Sequence, residues 1–227
     1  MGTMMEKRFD VIASLRKSKP ANLAELHERL GGVPLERIRM TPFPGSATEQ
    51  DLENNRGPTC ELIDGVLVEK AMGSRESLLG LWIASQITNF VELDDLGVVL
   101  GEAGFIRLRA GRVRAPDATF IPWSSFPDEE LPREAYWSVK PSLIVEVLSP
   151  DNTEREIDRK LSEFFAFGCK LAWVIDPKSR TAKVHTSATR FKIVDENGIL
   201  YAGRALPGFK LYMSAVFAKL KRRKPSK

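Results

Sequence analysis

The hardest residues in this chain to place are two carboxylates. Glu146 stands in the middle of PSLIVEVLSP, an almost continuously apolar run of the kind that makes a central strand buried on both faces. Asp117 follows Pro116 at the head of ATFI, where a residue without an N–H suits a strand's first position or a bulge. Burying an unpaired charge is costly, so each acid needs a cation, a hydrogen-bond network or a raised pKa. Two such acids suggest one shared cation. Magnesium, or manganese in its place, prefers oxygen ligands, keeps several waters and is held by one or two carboxylates. Such an ion can polarise a phosphodiester and lower the pKa of the attacking water. The competing arrangement is structural, with Asp117 capping a turn and Glu146 paired to an arginine such as Arg107 or Arg114.

Basic residues lie near both acids along the chain. Lys160 comes four residues after Glu156, the spacing of an ordinary surface pair on a helix. Turned inward, it would instead reach Glu146 and position water or stabilise charge building on a phosphate. Arg107, Arg109, Arg112 and Arg114 alternate through FIRLRAGRVRAPD, which could place several on one strand face leading to Asp117, where they would track a nucleic-acid backbone. Solvated strand residues would show the same pattern.

The elements that must position these groups are regular from Cys60 onward. ELIDGVLVEK has two apolar runs flanking Asp-Gly, the pattern of a β-hairpin. SRESLLGLWIASQITNFVEL puts Leu78, Leu79, Trp82, Ile83, Ile87 and Phe90 at helical spacing after Ser74, a candidate N-cap. GVVLGEAG, FIRLRAG and APDATFIPW predict three strands of an antiparallel meander. After the Glu146 strand, DNTEREIDRKLSEFFAFG predicts a helix capped at Asn152 or Thr153 and ended by Gly168. KLAWVIDP, RTAKVHT, FKIVDE and the C-terminal pieces predict further strands, the later ones at the sheet edge.

Residues 1–55 differ from the rest, with a helical stretch at ANLAELHERLGG and a Pro/Gly-rich connector. They predict an N-terminal helical arm, followed by one main domain over 56–218 and a basic tail over 219–227. The tail, KLKRRKPSK, holds six basic residues that either steer nucleic acid or form a solvated terminus. With 227 residues, 43% hydrophobic and 28% charged, the chain matches an ordinary globular protein rather than a disordered or fibrous one. Its net charge of +4 tolerates a polyanion without demanding one. No apolar stretch reaches membrane-spanning length and no signal-peptide pattern opens the chain, so a cytoplasmic location is expected. Cys60 and Cys169 lack metal spacing and read as free thiols. His27 and His185 are isolated from any Cys/His cluster, which argues against zinc. No G-x-x-x-x-G-K-[ST] or G-x-G-x-x-G loop occurs.

Taken together, ELIDGVLVE, VRAPDATFI, PSLIVEVLSP, the helix bearing Lys160 and GCKLAWVIDPKSRTAKVHT resemble the Uma-type "putative restriction endonuclease" family of the PD-(D/E)XK nuclease superfamily, over roughly Cys60 to Phe217. The resemblance implies an α/β fold with a restriction-endonuclease-like core, a mixed central β-sheet flanked by helices. It implies a Mg-dependent endonuclease that hydrolyses DNA, with Asp117 in the PD motif and Glu146 in the strand motif as catalytic metal ligands. The superfamily's common pattern has a lysine two residues after the second acid, where this chain has Leu148; the resemblance suggests that Lys160 takes that role. The family often carries a histidine near the start of the first helix, where this chain reads MGSRESLLG. Glu76 at that place, and Glu61 and Glu102 in family-like segments, are further acids the resemblance brings forward, although Glu76 also suits a helix's first turn. The alternatives are a catalytically weak or inactive nuclease-fold protein that binds nucleic acid or a protein partner, and a different hydrolase using metal or carboxylates, for example on a sugar. A homodimer is expected by analogy with nucleases that pair two sites to cut two strands.

Overall fold

The computed structural model describes residues 20–221; the start of the chain and most of the basic tail lie outside them. Helix α1 (Leu23–Arg29) begins at Asn22, whose side chain accepts from the Glu25 N–H, and short α2 (Glu49–Glu53) has a capping box between Thr48 and Asp51. Strands β1 (Cys60–Ile63) and β2 (Val66–Glu69) form the expected hairpin. Its turn residues Asp64 and Gly65 both have positive φ, 50° and 81°, the backbone that makes Asp-Gly a favoured two-residue hairpin turn. Leu26, Leu30 and Val33 of the arm pack on Ile63, Val66 and Val68.

Helix α3 (Ser74–Val91) is capped by Gly73 rather than Ser74, which is its first residue. Strands β3 (Gly97–Gly101), β4 (Ile106–Arg109), β5 (Arg112–Arg114) and β6 (Ala118–Pro122) follow, but not as one meander. β3 pairs directly with β6, while β4 and β5 leave to join β1 and β2 in a separate four-stranded sheet of order β2-β1-β5-β4. The cause is packing: Val113 of β5 is buried with Cys60, Leu62 and Leu67 of the hairpin, a contact the main sheet does not offer.

The main sheet has the order β10-β9-β8-β7-β6-β3, completed by β7 (Leu143–Val147), β8 (Leu171–Asp176), β9 (Thr181–His185) and β10 (Phe191–Val194). Only β7 and β8 run parallel, joined by helix α4 (Glu154–Phe167), so the sheet is mixed and the expected fold class holds. Helix α4 starts in a capping box between Thr153 and Glu156 and ends at Gly168, as its sequence predicts. β11 (Ile199–Tyr201) and β12 (Lys210–Tyr212) pair with each other instead of extending the sheet edge, and α5 (Met213–Ala218) closes the described chain. Val145 and Trp173 pack with α3 and α5 on one face; Ile144, Ala172 and Val174 pack with α4 on the other. Both cysteines are buried free thiols. Among the described residues no helix is long and apolar enough to cross a membrane.

Candidate active site

Strand periodicity aims Glu146 at α4. Val145 and Val147 are committed to the opposite core, so Glu146 shares the α4 face with Ile144. The β6–β7 register pairs Ala118 with Val145, and one further step along it sets Asp117 opposite Glu146. The backbone N–H of Asp117 donates to Val145 O (3.0 Å), and its Oδ2 accepts from the Val147 N–H (2.7 Å). A Cβ added to Gly80 would lie 3.2 Å from Asp117 Cβ, so the glycine in SLLGLW is what lets α3 pack this close to the start of β6.

Each acid meets a lysine. Lys160 Nζ lies 2.7 Å from Glu146 Oε1 and 2.9 Å from Glu61 Oε1, so it points inward and not toward a surface pair. Lys70 Nζ donates to Asp117 Oδ1 (3.1 Å) and to the Glu102 carbonyl (3.2 Å). Neither Arg107 nor Arg114 pairs with Glu146. Arg114 donates to Glu61 Oε2 (2.7 Å) and Glu163 Oε2 (2.8 Å), and Arg107 to Glu49 (2.9 Å). Glu61 also accepts from the Ala115 N–H (2.9 Å).

These contacts set the ionisation of the acids. Burial pushes Glu146 up to about 7, with Asp117 adding to the effect and Lys160 opposing it. Burial acts on Glu61 too, but Lys160, Arg114 and Lys70 outweigh it and hold that carboxyl well below the usual range. Lys160 is buried as well, yet Glu146 and Glu61 keep its ammonium charged well above its ordinary value.

Asp117, Glu146, Lys160, Glu61 and Lys70 line one small cleft together with Arg37, whose guanidinium holds Glu156 through two bonds of 2.9 and 2.7 Å. Its enclosed space, about 20 Å³, admits about one water. Of the other expected residues, Glu102 contributes a backbone carbonyl, and Glu76 stands at the start of α3 on a neighbouring surface cleft with Arg75 and Lys178. The arginine stripe divides. Arg107 and Arg109 stay partly exposed, but Arg112 and Arg114 are only 2% and 1% exposed and are engaged by Glu163, Asp64 and Glu61, which corrects the expectation that they present a nucleic-acid face. Burial lowers Arg112 to about 10 despite Glu163.

Lys70 and Arg37 were not singled out by sequence reasoning. For Lys70 the signal lay in the hairpin: Glu61 faces Val68 across the turn, and the period of two puts Lys70 on the side of Val68. No comparable local pattern marks Arg37.

A sequence profile of the family described as "Uma2: Putative restriction endonuclease" matches residues 47–214. The chain belongs to that family. The fold is similar to that of a crystal structure described as "a putative nuclease belonging to DUF820", from Anabaena variabilis ATCC 29413. It is similar at a TM-score of 0.66 with 19% identity, covering 77% of this chain and 99% of that one. That likeness carries the fold alone. No curated protein matches the sequence.

A divalent cation fits the cleft by donor chemistry. Asp117 and Glu146 supply the oxygen donors that magnesium takes, and burial pushes Glu146 up even with Lys160 beside it. Among the described residues no group of three or more His, Cys, Asp and Glu forms a metal cluster; the donors in this cleft are the two carboxylates.

Proposed function

We propose that this Uma2 protein is a metal-dependent endonuclease that hydrolyses DNA phosphodiester bonds, with Asp117 and Glu146 holding Mg2+, or Mn2+ in its place. The observation that carries the reading is that Asp117, Glu146 and Lys160, from the head of β6, from β7 and from α4, converge on one cleft. When bound, the cation would supply Lewis acidity toward the phosphate and toward the attacking water. Lys160 stays protonated at neutral pH and donates toward charge developing on the phosphate. Glu61, fixed by Arg114 and the Ala115 N–H, holds the Lys160 ammonium in place. Lys70 and the Val147 N–H orient Asp117. Arg107 and Arg109 are the members of the arginine stripe with surface left for a DNA backbone, and two copies of the chain would present the two sites that duplex cleavage needs.

Calorimetric titration of magnesium and manganese into the wild type, Asp117→Ala and Glu146→Ala, with plasmid cleavage on the same samples, tests the reading. The wild type is expected to bind and cut, and both variants to lose both properties, with cleavage down by at least about 10²-fold. A folded wild type that neither binds metal nor cuts would sink the proposal in favour of a non-catalytic binding protein.

A further inference from the structure

Beside the acidic cleft lies a second cavity, of about 220 Å³, between the first turn of α4, the segment leaving β7, and the strands β8 and β9. The register that faces Ala172 with His185 and Val174 with Lys183 turns these residues to the α4 side of the sheet. Leu148, Ile157 and Val174 make its apolar floor. Val174 also pairs with Glu146 in the parallel register, so Glu146, Val174 and Lys183 form one row across three strands. Lys183, on the far side of the cavity, is therefore about 10 Å from Glu146, two strand spacings away, while Asn152 and Ile157 line both the cavity and the acidic cleft.

Two polar side chains in it make no aligned hydrogen bond. His185 is 3% exposed and neither ring nitrogen makes a hydrogen bond; Ser149 is 8% exposed and its Oγ makes none. The Ser187 backbone lies close to the ring without hydrogen-bond alignment. Buried polar groups are ordinarily satisfied, as His27 is by its 2.8 Å contact to the Val33 carbonyl. Burial lowers the His185 pKa, with Lys183 adding to it, so the ring is neutral and presents one donor and one acceptor.

Charge and size narrow the ligand. Glu154 and Asp158 border the cavity against one cation, Lys183, which sits 3.6 Å from Glu154; this balance disfavours a phosphate. The volume falls below that of pockets for drug-sized ligands, roughly 300–1,000 Å³. A small neutral ring, apolar on its faces and polar at its edge, matches both.

We propose that this cavity receives a nucleobase of the DNA strand, one that neighbours the scissile phosphate, with His185 and Ser149 reading its edge and Asp158 accepting from an exocyclic amine. The identity of the ligand rests on the nuclease reading of the adjacent cleft. Enzymes that draw a base out of its stack read it in the same way, by hydrogen bonds to the base edge in a fitted pocket.

The test uses the full chain without metal. Protein with isotope-labelled histidine is titrated by NMR with each of the four deoxynucleosides and, separately, with inorganic phosphate. At least one nucleoside is expected to shift the His185 ring saturably while His27 stays fixed. Ser149→Ala and Asp158→Asn are each expected to weaken that binding several-fold with Tm unchanged. These variants avoid the loss of packing on Phe191 that replacing His185 would bring. Absence of a saturable shift at millimolar nucleoside overturns the proposal, as does a response to phosphate alone or unchanged binding in both variants. A wild type that binds nucleosides but, with magnesium added, cuts no plasmid overturns the nuclease reading instead, and one that cuts with magnesium but shows no saturable shift overturns only the base pocket.

Discussion

Helix α4 carries two ionic clusters that are balanced in opposite ways. Around Glu163, three guanidinium groups from Arg112, Arg114 and Arg159 meet the carboxylates of Glu163 and Asp64. Burial works against ionisation of both acids, but the arginines outweigh it and both are held below their ordinary values. Around Lys160, Glu61 and Glu146 share one ammonium, and only Glu61 has Arg114 as well. Glu146 is pushed up to about 7. One cluster neutralises its buried charge within the chain. In the other, burial outweighs the attraction of Lys160 and Lys70 for Glu146, which stands on the wall of a cleft. That difference separates buried charge that holds the fold from buried charge available to a ligand.

The largest expected effect comes from breaking the balanced cluster. Arg114→Ala leaves Glu61 and Glu163 without their shared cation and is expected to lower the unfolding free energy by about 3–5 kcal/mol in a denaturant titration. In the unbalanced cluster the loss should appear in activity: Lys160→Met is expected to slow plasmid cleavage by about 10²–10³-fold. Full activity in that variant would return Lys160 to a structural role. The two clusters should also differ in how stability follows pH. Because Glu146 titrates near 7 in the fold against an ordinary 4.5, the folded chain binds the extra proton, and stability in metal-free buffer falls as pH rises between these values. Glu146→Gln should remove that slope, worth on the order of 3 kcal/mol. Glu61 and Glu163, held low, give the opposite slope: their contribution is present above the ordinary carboxylate range and lost as pH falls below it. The smallest effect belongs to the exposed part of the arginine stripe. Arg109→Ala should leave the fold intact and reduce the salt dependence of DNA binding by a slope of about 1, measured by anisotropy across a salt series.

Much of this was legible in local pattern. The hairpin at Asp64-Gly65, the capping box at Thr153 and Glu156, the stop at Gly168 and the buried strand around Glu146 each follow from rules acting over a few residues. The structure sets Asp117, at the head of β6, opposite Glu146 and turns Lys160 inward. Where sequence reasoning missed, it met long-range choices. FIRLRAG, the strand β4, looks like the middle of a meander until β5, which the sequence reading did not mark, pairs with the hairpin β1–β2 and buries Val113 there. Arg112 and Arg114 look like a binding stripe until Glu163 and Glu61 close on them.

The sequence by itself determined which residues could carry chemistry and which elements bear them, because periodicity, capping and turn geometry are properties of neighbours along the chain. Only the tertiary structure decided which base answers which acid. Lys70 meets Asp117 across 47 positions, and Arg37 meets Glu156 across 119. A salt bridge at such separation depends on how the sheets and helices pack, and no local pattern encodes it. The pairing of Glu146 with Lys160 arises in that same packing, since the arginines nearby are drawn to Glu61, Glu163 and Glu49 instead.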